Sequence, residues 1–509
     1  MLQSTLHLHT AFVVDVVDPR VFGGFLEHMG RAVNDGIYNP GSVHADESGC
    51  RTDVLAALRR LRFTAMRYPG GNFVSGYHWL DGVGPREQRP TVRDLAWQSL
   101  ETNEFGTNEF MALSRRMEWT PMMAVNLGTG TPEEARNLLE YCNVAGGSKW
   151  ADLRREHGVE SPHDVRLWCL GNEMDGPWQI GHQPAENYAI LAQQTARLMK
   201  MCDPRVELVV CGSCAPDLPT YLEWDRKVLE HCRETVEYLS MHRYVGNTVN
   251  AEGKEDPDHG DTSEYLAVTN SIDRQIDATN AVCVSAHHTK RTRKRVFLSV
   301  DEWNVWYRAR SGSAVDGEGK FAPPLLEERY NLEDALVAAG FLNSFLRHAD
   351  SVKIANLAQI VNVLAPIFTR GDEMIRQTIF YPVEMYSKRR EGTSLQVRVD
   401  GPGYTSQTYG PVTYLDSSAI VNGGELSVFL VNRSLDQMME VLVRPGDARI
   451  EGFVKAEILS GPDPKTSNTF ETPDAVVSQS WGEHTIREGV ATVKLPPLSV
   501  YAGTFRLAR

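Results

Sequence analysis

Leu170-Gly171-Asn172-Glu173-Met174-Asp175 is the most informative stretch of this 509-residue chain. It ends the short apolar run Val165 to Leu170, which the residue pattern predicts to be a buried strand. The strand stops at Gly171, and a carboxylate follows it at once. A second stretch has the same design, because the run Arg295 to Val300 leads into Asp301-Glu302-Trp303-Asn304. Two buried strands thus each carry a glutamate at the carboxyl end.

In a closed parallel α/β barrel, the carboxyl ends of the strands form the face that carries the chemistry. Two carboxylates that face each other across a cleft are what glycoside hydrolysis requires. Each motif alone has an ordinary structural explanation, since an acidic residue after a strand is commonly a helix cap or a surface salt-bridge partner. The two motifs together, each behind a buried strand, favour the catalytic interpretation.

Eight strand patterns, separated by loops and helix patterns, predict a (β/α)8 TIM barrel with its site at the carboxyl ends. The predicted strands cover residues 21–25, 63–66, 121–125, 165–170, 206–210, 236–241, 296–300 and 352–358. Helix patterns between them include residues 53–61, 186–201, 221–232, 265–282 and 332–346. This order places Glu173 on the fourth strand and Glu302 on the seventh.

Two regions do not follow the barrel pattern. Residues 5–17 partly alternate and are rich in β-branched side chains, which predicts a strand. After about Ser387 the chain becomes a series of short alternating strands with a hairpin turn at Asn422-Gly-Gly424, which predicts an antiparallel β-sandwich. The long segment Arg308 to Arg329 follows Glu302 closely, so we expect it to overhang the site as a loop.

Charge, apolar runs and cysteine content limit the classes of protein to which this chain can belong. The chain has 52 basic and 66 acidic residues and a net charge of −14, which argues against non-specific binding to nucleic acid or to an anionic membrane. We find no signal-peptide pattern and no apolar run long enough to cross a membrane. The eight cysteines do not form a secreted disulfide pattern, and we interpret Cys211 and Cys214 as reduced core thiols. These features predict a cytoplasmic protein.

The whole constellation resembles the retaining (β/α)8 glycosidases, and more closely the family 51 α-L-arabinofuranosidases. The resemblance extends from about Val21 to the C-terminus. Its most specific stretches, in chain order, are Phe22-Gly-Gly-Phe-Leu-Glu-His28, Arg67-Tyr-Pro-Gly-Gly-Asn72, Asn103-Glu-Phe-Gly106, Gly171-Asn-Glu173, His242-Arg-Tyr244 and Asp301-Glu-Trp303-Asn304.

The resemblance implies a role for ten residues. Glu173 matches the general acid/base and Glu302 the nucleophile. The other eight match residues that bind the sugar or flank these two carboxylates, and they are Glu27, Arg67, Asn72, Trp97, Asn172, His242, Tyr244 and Gln359. An arginine beside Glu302 would keep it ionised. Arg67 could instead be a salt-bridge partner within the barrel, and Trp97 could be packed core.

The family fold also implies how the chain is divided. Residues 1–17 would join residues 387–509 in the jelly-roll-like sandwich, and residues 18–386 would form the catalytic barrel. The resemblance implies a homo-oligomer, commonly a hexamer, and it implies no metal and no organic cofactor.

The expected function is that of an exo-acting α-L-arabinofuranosidase with net retention of configuration. Its substrates would be arabinofuranosyl-containing oligosaccharides from arabinan or arabinoxylan. Two alternatives remain at this point. An endo-acting glucanase or xylanase of the same clan would need an open groove rather than a pocket. A non-catalytic sugar-binding protein would have no need of both Glu173 and Glu302.

Overall fold

The computed structural model describes residues 1–248, 260–289, 294–307 and 317–508. Eight parallel strands close into a barrel, in which the eighth strand pairs with the first. In chain order the strands are Gly23–Phe25, Ala65–Tyr68, Thr120–Val125, Leu167–Leu170, Glu207–Val210, Tyr238–Val245, Phe297–Val305 and Val352–Ala358. The predicted (β/α)8 barrel is therefore confirmed, with Glu173 after the fourth strand and Glu302 in the seventh.

The helices that the structure describes lie mainly between consecutive barrel strands. They are Thr52–Leu61, Thr107–Met117, Pro132–Asn143, Lys149–Glu156, Ala185–Cys202, Glu223–Cys232, Thr262–Ala267, Thr269–Thr289, Leu332–Arg347 and Phe380–Ser387. Four short 3-10 turns accompany them, at Pro19–Phe22, Asn72–Gly76, Trp79–Gly82 and Arg86–Gln88. The helix pattern predicted over residues 265–282 is two helices in the structure, which meet at Val268.

Several strand boundaries differ from those predicted, for identifiable reasons. The first strand begins late because Pro19–Phe22 forms a 3-10 turn, in which the Asp18 side chain accepts a hydrogen bond from the Arg20 backbone N–H. The sixth and seventh strands run further than their apolar cores, because pairing continues from Glu302 opposite His242 to Val305 opposite Val245. The polar residues of the site therefore lie inside these strands.

A second region consists of one ladder of ten strands. Its members are Leu2–Val16, Thr393–Asp400, Leu415–Asn422, Glu425–Asn432, Met439–Pro445, Arg449–Ser460, Gln479–Ser480, His484–Arg487, Val490–Leu495 and Ser499–Ala508. The pairs are antiparallel except that Leu2–Val16 pairs in parallel with Met439–Pro445. Asn422 pairs with Glu425 across the glycines at 423 and 424, both at positive φ, as the predicted two-residue hairpin turn requires.

The ladder curls around an apolar core of its own, which includes Leu6, Leu430 and Phe505. Phe453 stacks on His484 with ring centroids 3.9 Å apart, although the strand of His484 is at one end of the ladder and that of Phe453 is second from the other end. Rolling one continuous sheet in this way gives the two facing layers of a sandwich.

In the part of the chain that the structure describes, three further strand pairs are short hairpins: Val92–Arg93 with Leu100–Glu101, Ile367–Arg370 with Glu373–Arg376, and Gly403–Ser406 with Gly410–Thr413. All eight cysteines are free thiols, and Cys211 and Cys214 are buried, as interpreted from the sequence. Among the described helices, none combines the length and apolar character needed to cross a membrane.

Candidate active site

The ten residues predicted for the site lie at the carboxyl ends of barrel strands or in the loops that follow them. Hydrogen bonds join them into two adjoining groups. The first group surrounds the two glutamates and contains Arg67, Asn72, Asn172, Glu173, His242, Tyr244 and Glu302. The second group contains Glu27, Trp97 and Gln359.

Glu302 lies in a strongly polar and buried position. Its Oε1 accepts a hydrogen bond from Nη1 of Arg67 at 2.7 Å, and its Oε2 accepts one from the Tyr244 hydroxyl at 2.8 Å. Burial raises the pKa of Glu302, but the positive charges of His242 and Arg67 and the two hydrogen bonds outweigh it, so the pKa lies below its ordinary value. Glu302 is therefore held as a carboxylate.

An irregularity in the seventh strand explains how two successive acidic side chains both enter the barrel. Successive residues of a regular strand point to opposite faces, so Asp301 and Glu302 should diverge. The pairing register shifts between Ser299 and Glu302, as at a β-bulge. As a result Asp301 also faces the interior, where its Oδ2 lies 3.4 Å from Nε of Arg67.

Glu173 is reached by a turn that bends the chain back into the cleft. Its φ is +44°, in the left-handed region that residues other than glycine rarely adopt. Its Oε1 lies 2.8 Å from Nδ1 of His242, and its Oε2 accepts a hydrogen bond from Nε1 of Trp178 at 2.7 Å. Burial raises the pKa of Glu173, and the negative charge of Glu302 adds to this against the opposing hydrogen bond with His242.

The two glutamates lie close together. One carboxyl oxygen of Glu173 lies within 4.8 Å of one of Glu302, and a ring nitrogen of His242 lies within the same distance of both. Three such groups could in principle share a metal ion. Both oxygens of Glu302 already accept hydrogen bonds, however, and one donor is the Arg67 cation. The arrangement fits a set of groups that share protons better than a cation site.

Arg67 connects the nucleophile side of the cleft to an asparagine pair. Its Nη2 donates to Oδ1 of Asn172 at 2.8 Å, and Nδ2 of Asn172 reaches Oδ1 of Asn72 at 3.3 Å. Gly71 allows this approach, because a Cβ at that position would lie 2.8 Å from Oε1 of Glu302. Arg67 does form salt bridges within the barrel, but its partners are Glu302 and Asp301, which belong to the site or lie beside it.

Glu27 has hydrogen-bond donors on both of its oxygens. Its Oε1 accepts from the backbone N–H of Phe73 at 2.9 Å and from Nε1 of Trp97 at 3.0 Å, and its Oε2 accepts from Nε2 of Gln359 at 3.0 Å. Burial and the negative charge of Glu302 raise the pKa of Glu27 to about 7. Because Trp97 donates a hydrogen bond to Glu27, its side chain is not merely part of the packed core.

Trp97 lies in the hairpin formed by Val92–Arg93 and Leu100–Glu101. The main chain of residues 317–320 runs beside this hairpin, with hydrogen bonds from the N–H of Gly317 to the Trp97 carbonyl and from the N–H of Leu100 to the Lys320 carbonyl. This part of the segment Arg308 to Arg329 therefore lies beside the hairpin that carries Trp97. Residues 308–316 are outside the described residues.

Trp178, Ser240 and Asp301 have side chains in contact with site residues, and none of the three was assigned from the sequence. Trp178 donates to Glu173, Ser240 donates to Oδ1 of Asp301 at 2.6 Å, and Asp301 lies next to Arg67. Trp178 could have been proposed from the sequence because it follows Glu173 by only five residues. For Asp301 strand alternation pointed the wrong way, because the bulge cannot be read from sequence. Ser240 precedes His242 by two residues, a spacing that puts both on one face of a strand.

Two comparisons of sequence place this site in a known context. Residues 57–260 match a family model described as α-L-arabinofuranosidase 1 domain, and residues 301–499 match the α-L-arabinofuranosidase C-terminal domain. The second match begins inside the seventh barrel strand, so its start is not a structural boundary. The chain is also 44% identical over 504 residues to the intracellular exo-α-(1→5)-L-arabinofuranosidase 1 of Bacillus subtilis (strain 168), covering 98% of both chains.

Solved structures show the same relationship in three dimensions. A family 51 α-L-arabinofuranosidase from Bifidobacterium longum superimposes with a TM-score of 0.93 at 36% identity, covering 99% of each chain. The arabinose complex of an α-L-arabinofuranosidase from Thermotoga maritima gives a TM-score of 0.86 at 31% identity, covering 99% of this chain and all of the other. This chain belongs to the family 51 α-L-arabinofuranosidases, which are glycoside hydrolases.

Proposed function

We propose that this enzyme is an exo-acting α-L-arabinofuranosidase in which Glu302 is the nucleophile and Glu173 the general acid/base. The observation that carries the assignment is the pair of carboxyl groups with oxygens within 4.8 Å and with pKa values moved in opposite directions. Retaining glycosidases keep their carboxyl groups about 5–5.5 Å apart, whereas inverting enzymes need about 6.5–9.5 Å for a water molecule.

The first step uses both glutamates. The ionised Glu302 attacks the anomeric carbon, while Glu173 gives its proton to the departing oxygen. Tyr244 and Arg67 hold the Glu302 carboxylate through its two oxygens, so the attacking group does not have to be ordered during the reaction.

The second step reverses the roles. With Glu302 bound to the sugar as an ester, its negative charge is gone, and the pKa of Glu173 falls because one of the causes that raised it has been removed. Glu173 then takes a proton from water, which attacks the anomeric carbon and releases the sugar. Two inversions give net retention.

The remaining residues would bind the furanose ring. Asn172 lies between Arg67 and Asn72, where it would bind the hydroxyl next to the anomeric carbon. Glu27, with Gln359 and Trp97 on its two oxygens, would accept hydrogen bonds from hydroxyls further round the ring. A small furanose ring with several hydroxyls requires such a compact set of polar contacts.

Exo action is supported by the wall beside Glu27. The hairpin that carries Trp97 is bonded to Glu27, and the main chain of residues 317–320 is hydrogen-bonded to this hairpin, so that both stand at this end of the site. An endo-acting glucanase or xylanase would need an open groove here. A sugar-binding protein without activity would not need a doubly hydrogen-bonded carboxylate beside a second carboxyl group of raised pKa.

The names of relatives support the substrate class and the compartment. Four of the curated relatives at 41–44% identity are named intracellular exo-α-(1→5)-L-arabinofuranosidases, and one at 42% identity is named an exo-α-(1→6)-L-arabinofuranosidase. We infer a cytoplasmic enzyme that acts on short arabinofuranosyl oligosaccharides from arabinan or arabinoxylan. The two linkage names define the two substrates with which the linkage preference should be measured.

The resemblance also leads us to propose a homo-oligomer, with a hexamer as the expected form. Multi-angle light scattering across a wide concentration range checks it, since one chain has a mass of 56.9 kDa. A mass of one chain at every concentration would contradict the proposal.

Product analysis separates exo from endo action. Linear arabino-oligosaccharides labelled at the reducing end should lose one arabinose at a time, so that labelled products shorten stepwise and unlabelled arabinose accumulates. Early release of unlabelled disaccharides or longer fragments would indicate an endo-acting enzyme. Binding of the oligosaccharide without any product would indicate a sugar-binding protein.

A further inference from the structure

His242 has a second ring nitrogen that the mechanism above does not use. While Nδ1 faces Glu173, Nε2 faces the barrel interior, 3.2 Å from Oγ of Ser240 and 3.7 Å from Oδ1 of Asp301. His242, Ser240 and Asp301 are all buried. A histidine in such a place must have a defined position for each of its hydrogens.

The hydrogen on Ser240 decides that position. A serine hydroxyl has one hydrogen to donate and lone pairs with which to accept. Ser240 lies 2.6 Å from Oδ1 of Asp301, the distance of a strong hydrogen bond to a carboxylate, and 3.2 Å from Nε2 of His242. The hydrogen therefore goes to Asp301. Ser240 can then interact favourably with His242 only as an acceptor, which requires a hydrogen on Nε2.

We propose that Ser240 and Asp301 are positioning residues that hold a hydrogen on Nε2 of His242, so that Nδ1 shares a single proton with Oε1 of Glu173. The inference rests on the proposed function, because it takes Glu173 to be the acid/base. The shared proton has two locations. It is either on the Glu173 carboxyl, which then donates to Nδ1, or on Nδ1, which then donates to the Glu173 carboxylate.

This arrangement protects the proton that Glu173 needs for the first step. If the pair lost it, the lone pair of Nδ1 would face the Glu173 carboxylate at 2.8 Å with no hydrogen between them. Ser240 and Asp301 prevent the ring from relieving this repulsion by moving its hydrogen from Nε2 to Nδ1. The pair should therefore keep its proton into the alkaline range.

Other charged and titratable groups around the pair agree with this assignment. The negative charges of Glu302, Asp301 and Glu173 overcome the effect of burial and raise the pKa of His242 to about 9. Arg67 faces Asp301 from the second strand. Burial and the negative charge of Glu173 both raise the pKa of the Cys214 thiol and the pKa of the Tyr244 hydroxyl, so both groups stay protonated.

The pH dependence of kcat/KM tests the proposal. On an arabinobiose, whose departing sugar needs a proton, Ser240→Ala should move the alkaline limb to lower pH by about one unit, the equivalent of one hydrogen bond to a charged group. The shift is to lower pH because the variant loses the Ser240 oxygen, which accepts the hydrogen of Nε2 and so favours the protonated form of the Glu173–His242 pair. Without Ser240, the His242 ring can also move its hydrogen from Nε2 to Nδ1 after the pair has lost its proton, which stabilises the deprotonated form.

Ser299→Ala is the matched control. Ser299 pairs with Ser240 in the neighbouring strand, is fully buried, and its hydroxyl has no hydrogen-bond partner among the described residues. This variant should keep the wild-type alkaline limb. With a dinitrophenyl arabinofuranoside, whose leaving group needs no proton, the difference between wild type and Ser240→Ala should disappear. An unchanged limb in Ser240→Ala on arabinobiose, or an equal shift in Ser299→Ala, would overturn the proposal.

Neutron diffraction from wild-type crystals in heavy water decides the question even if Ser240→Ala does not fold. The result expected is deuterium on Nε2 of His242 and deuterium between Ser240 and Asp301. A bare Nε2 with the Ser240 deuterium directed at it would overturn the proposal. Failure here leaves the assignment of Glu173 and Glu302 intact, whereas failure of the wild-type enzyme to hydrolyse any α-L-arabinofuranoside would remove the proposed function itself.

Discussion

Glu173 and Glu302 are identical side chains whose surroundings give them different protonation states. Glu302 has an arginine, a tyrosine hydroxyl and His242 around it, all of which favour its charged form. Glu173 is buried beside that charge, and burial and the charge of Glu302 raise its pKa against the opposing hydrogen bonds with His242 and Trp178. The division of labour follows from these contacts, and each glutamate can be tested by removing it.

Glu173→Ala should separate the two steps of the reaction. The variant should fail on arabino-oligosaccharides, whose departing oxygen needs a proton, and keep more of the first step with a dinitrophenyl leaving group. Added azide should enter the space left by the side chain and attack the glycosyl-enzyme. Because two inversions retain configuration, the product should be the α-azide, identified by NMR.

Wild-type enzyme with azide is the control and should release only arabinose, because the Glu173 side chain occupies that space. A β-azide from Glu173→Ala would mean a single displacement, and the assignment of Glu302 as nucleophile would then fail.

At this scale the sequence predicted the residues that follow strands and missed those whose orientation depends on the fold. Glu173 could be predicted because a polar residue after an apolar run marks the carboxyl face of a barrel, whereas Glu27 and Gln359 were assigned through the family resemblance. Asp301 could not, because the bulge that turns it inwards has no sequence signal of its own. Ser240 could not be predicted as a site residue either, because its hydrogen bond to Asp301 depends on the inward orientation of Asp301.

At the scale of elements, the hairpin of Val92–Arg93 and Leu100–Glu101 shapes the pocket. Asp94 holds its loop, since its side chain accepts from the N–H groups of Ala96 and Trp97. Trp97 at the tip then reaches Oε1 of Glu27. One hairpin thus positions a donor on a proposed sugar ligand.

Trp97→Phe should lower kcat/KM on a nitrophenyl arabinofuranoside by about tenfold or more, because it removes one hydrogen bond to a buried carboxylate. Trp481→Phe is the matched control, since it also loses an indole hydrogen bond, to the Lys494 carbonyl in the ten-stranded sheet. Steady-state kinetics measure both variants. Equal losses in the two variants, or no loss in Trp97→Phe, would contradict the role given to Trp97.

Element types were predictable, and their limits were less so. The helix Leu332–Arg347 could be predicted from its long apolar run, and the structure explains that run. Its residues are buried through Leu346 because it lies between the seventh barrel strand and the ten-stranded sheet. The break at Val268 and the extensions of the sixth and seventh strands depend on neighbours distant in sequence, so no local pattern marks them.

At the scale of the molecule, the N-terminal strand joins the two ends of the chain. Leu2–Val16 lies inside the ladder, between Thr393–Asp400 and Met439–Pro445. We propose on this basis that residues 1–17 and 387–509 form one unit and residues 18–386 the other. Residue composition alone predicts a strand at residues 5–17 but does not say which strands it pairs with, since pairing is set by contacts across the whole chain.

Leu6→Ala should lower the free energy of unfolding by about 2–5 kcal/mol, because Leu6 is fully buried in the core of the sheet. Phe12→Ala is the control in the same strand. Phe12 is 59% exposed, and its loss should change stability by no more than about 0.5 kcal/mol. Urea unfolding followed by circular dichroism measures both. Similar losses in the two variants would show that the strand is not packed as described.

The identity of the nucleophile is the central claim, and covalent labelling tests it most directly. A fluorinated arabinofuranosyl substrate with a good leaving group should react with the enzyme and turn over slowly, which lets the glycosyl-enzyme accumulate. Mass spectrometry of the digested protein should find the sugar on the peptide that contains Glu302, and Glu302→Ala should give no labelled peptide. A label on any other residue, or turnover of the substrate with inversion and no label, would contradict the account.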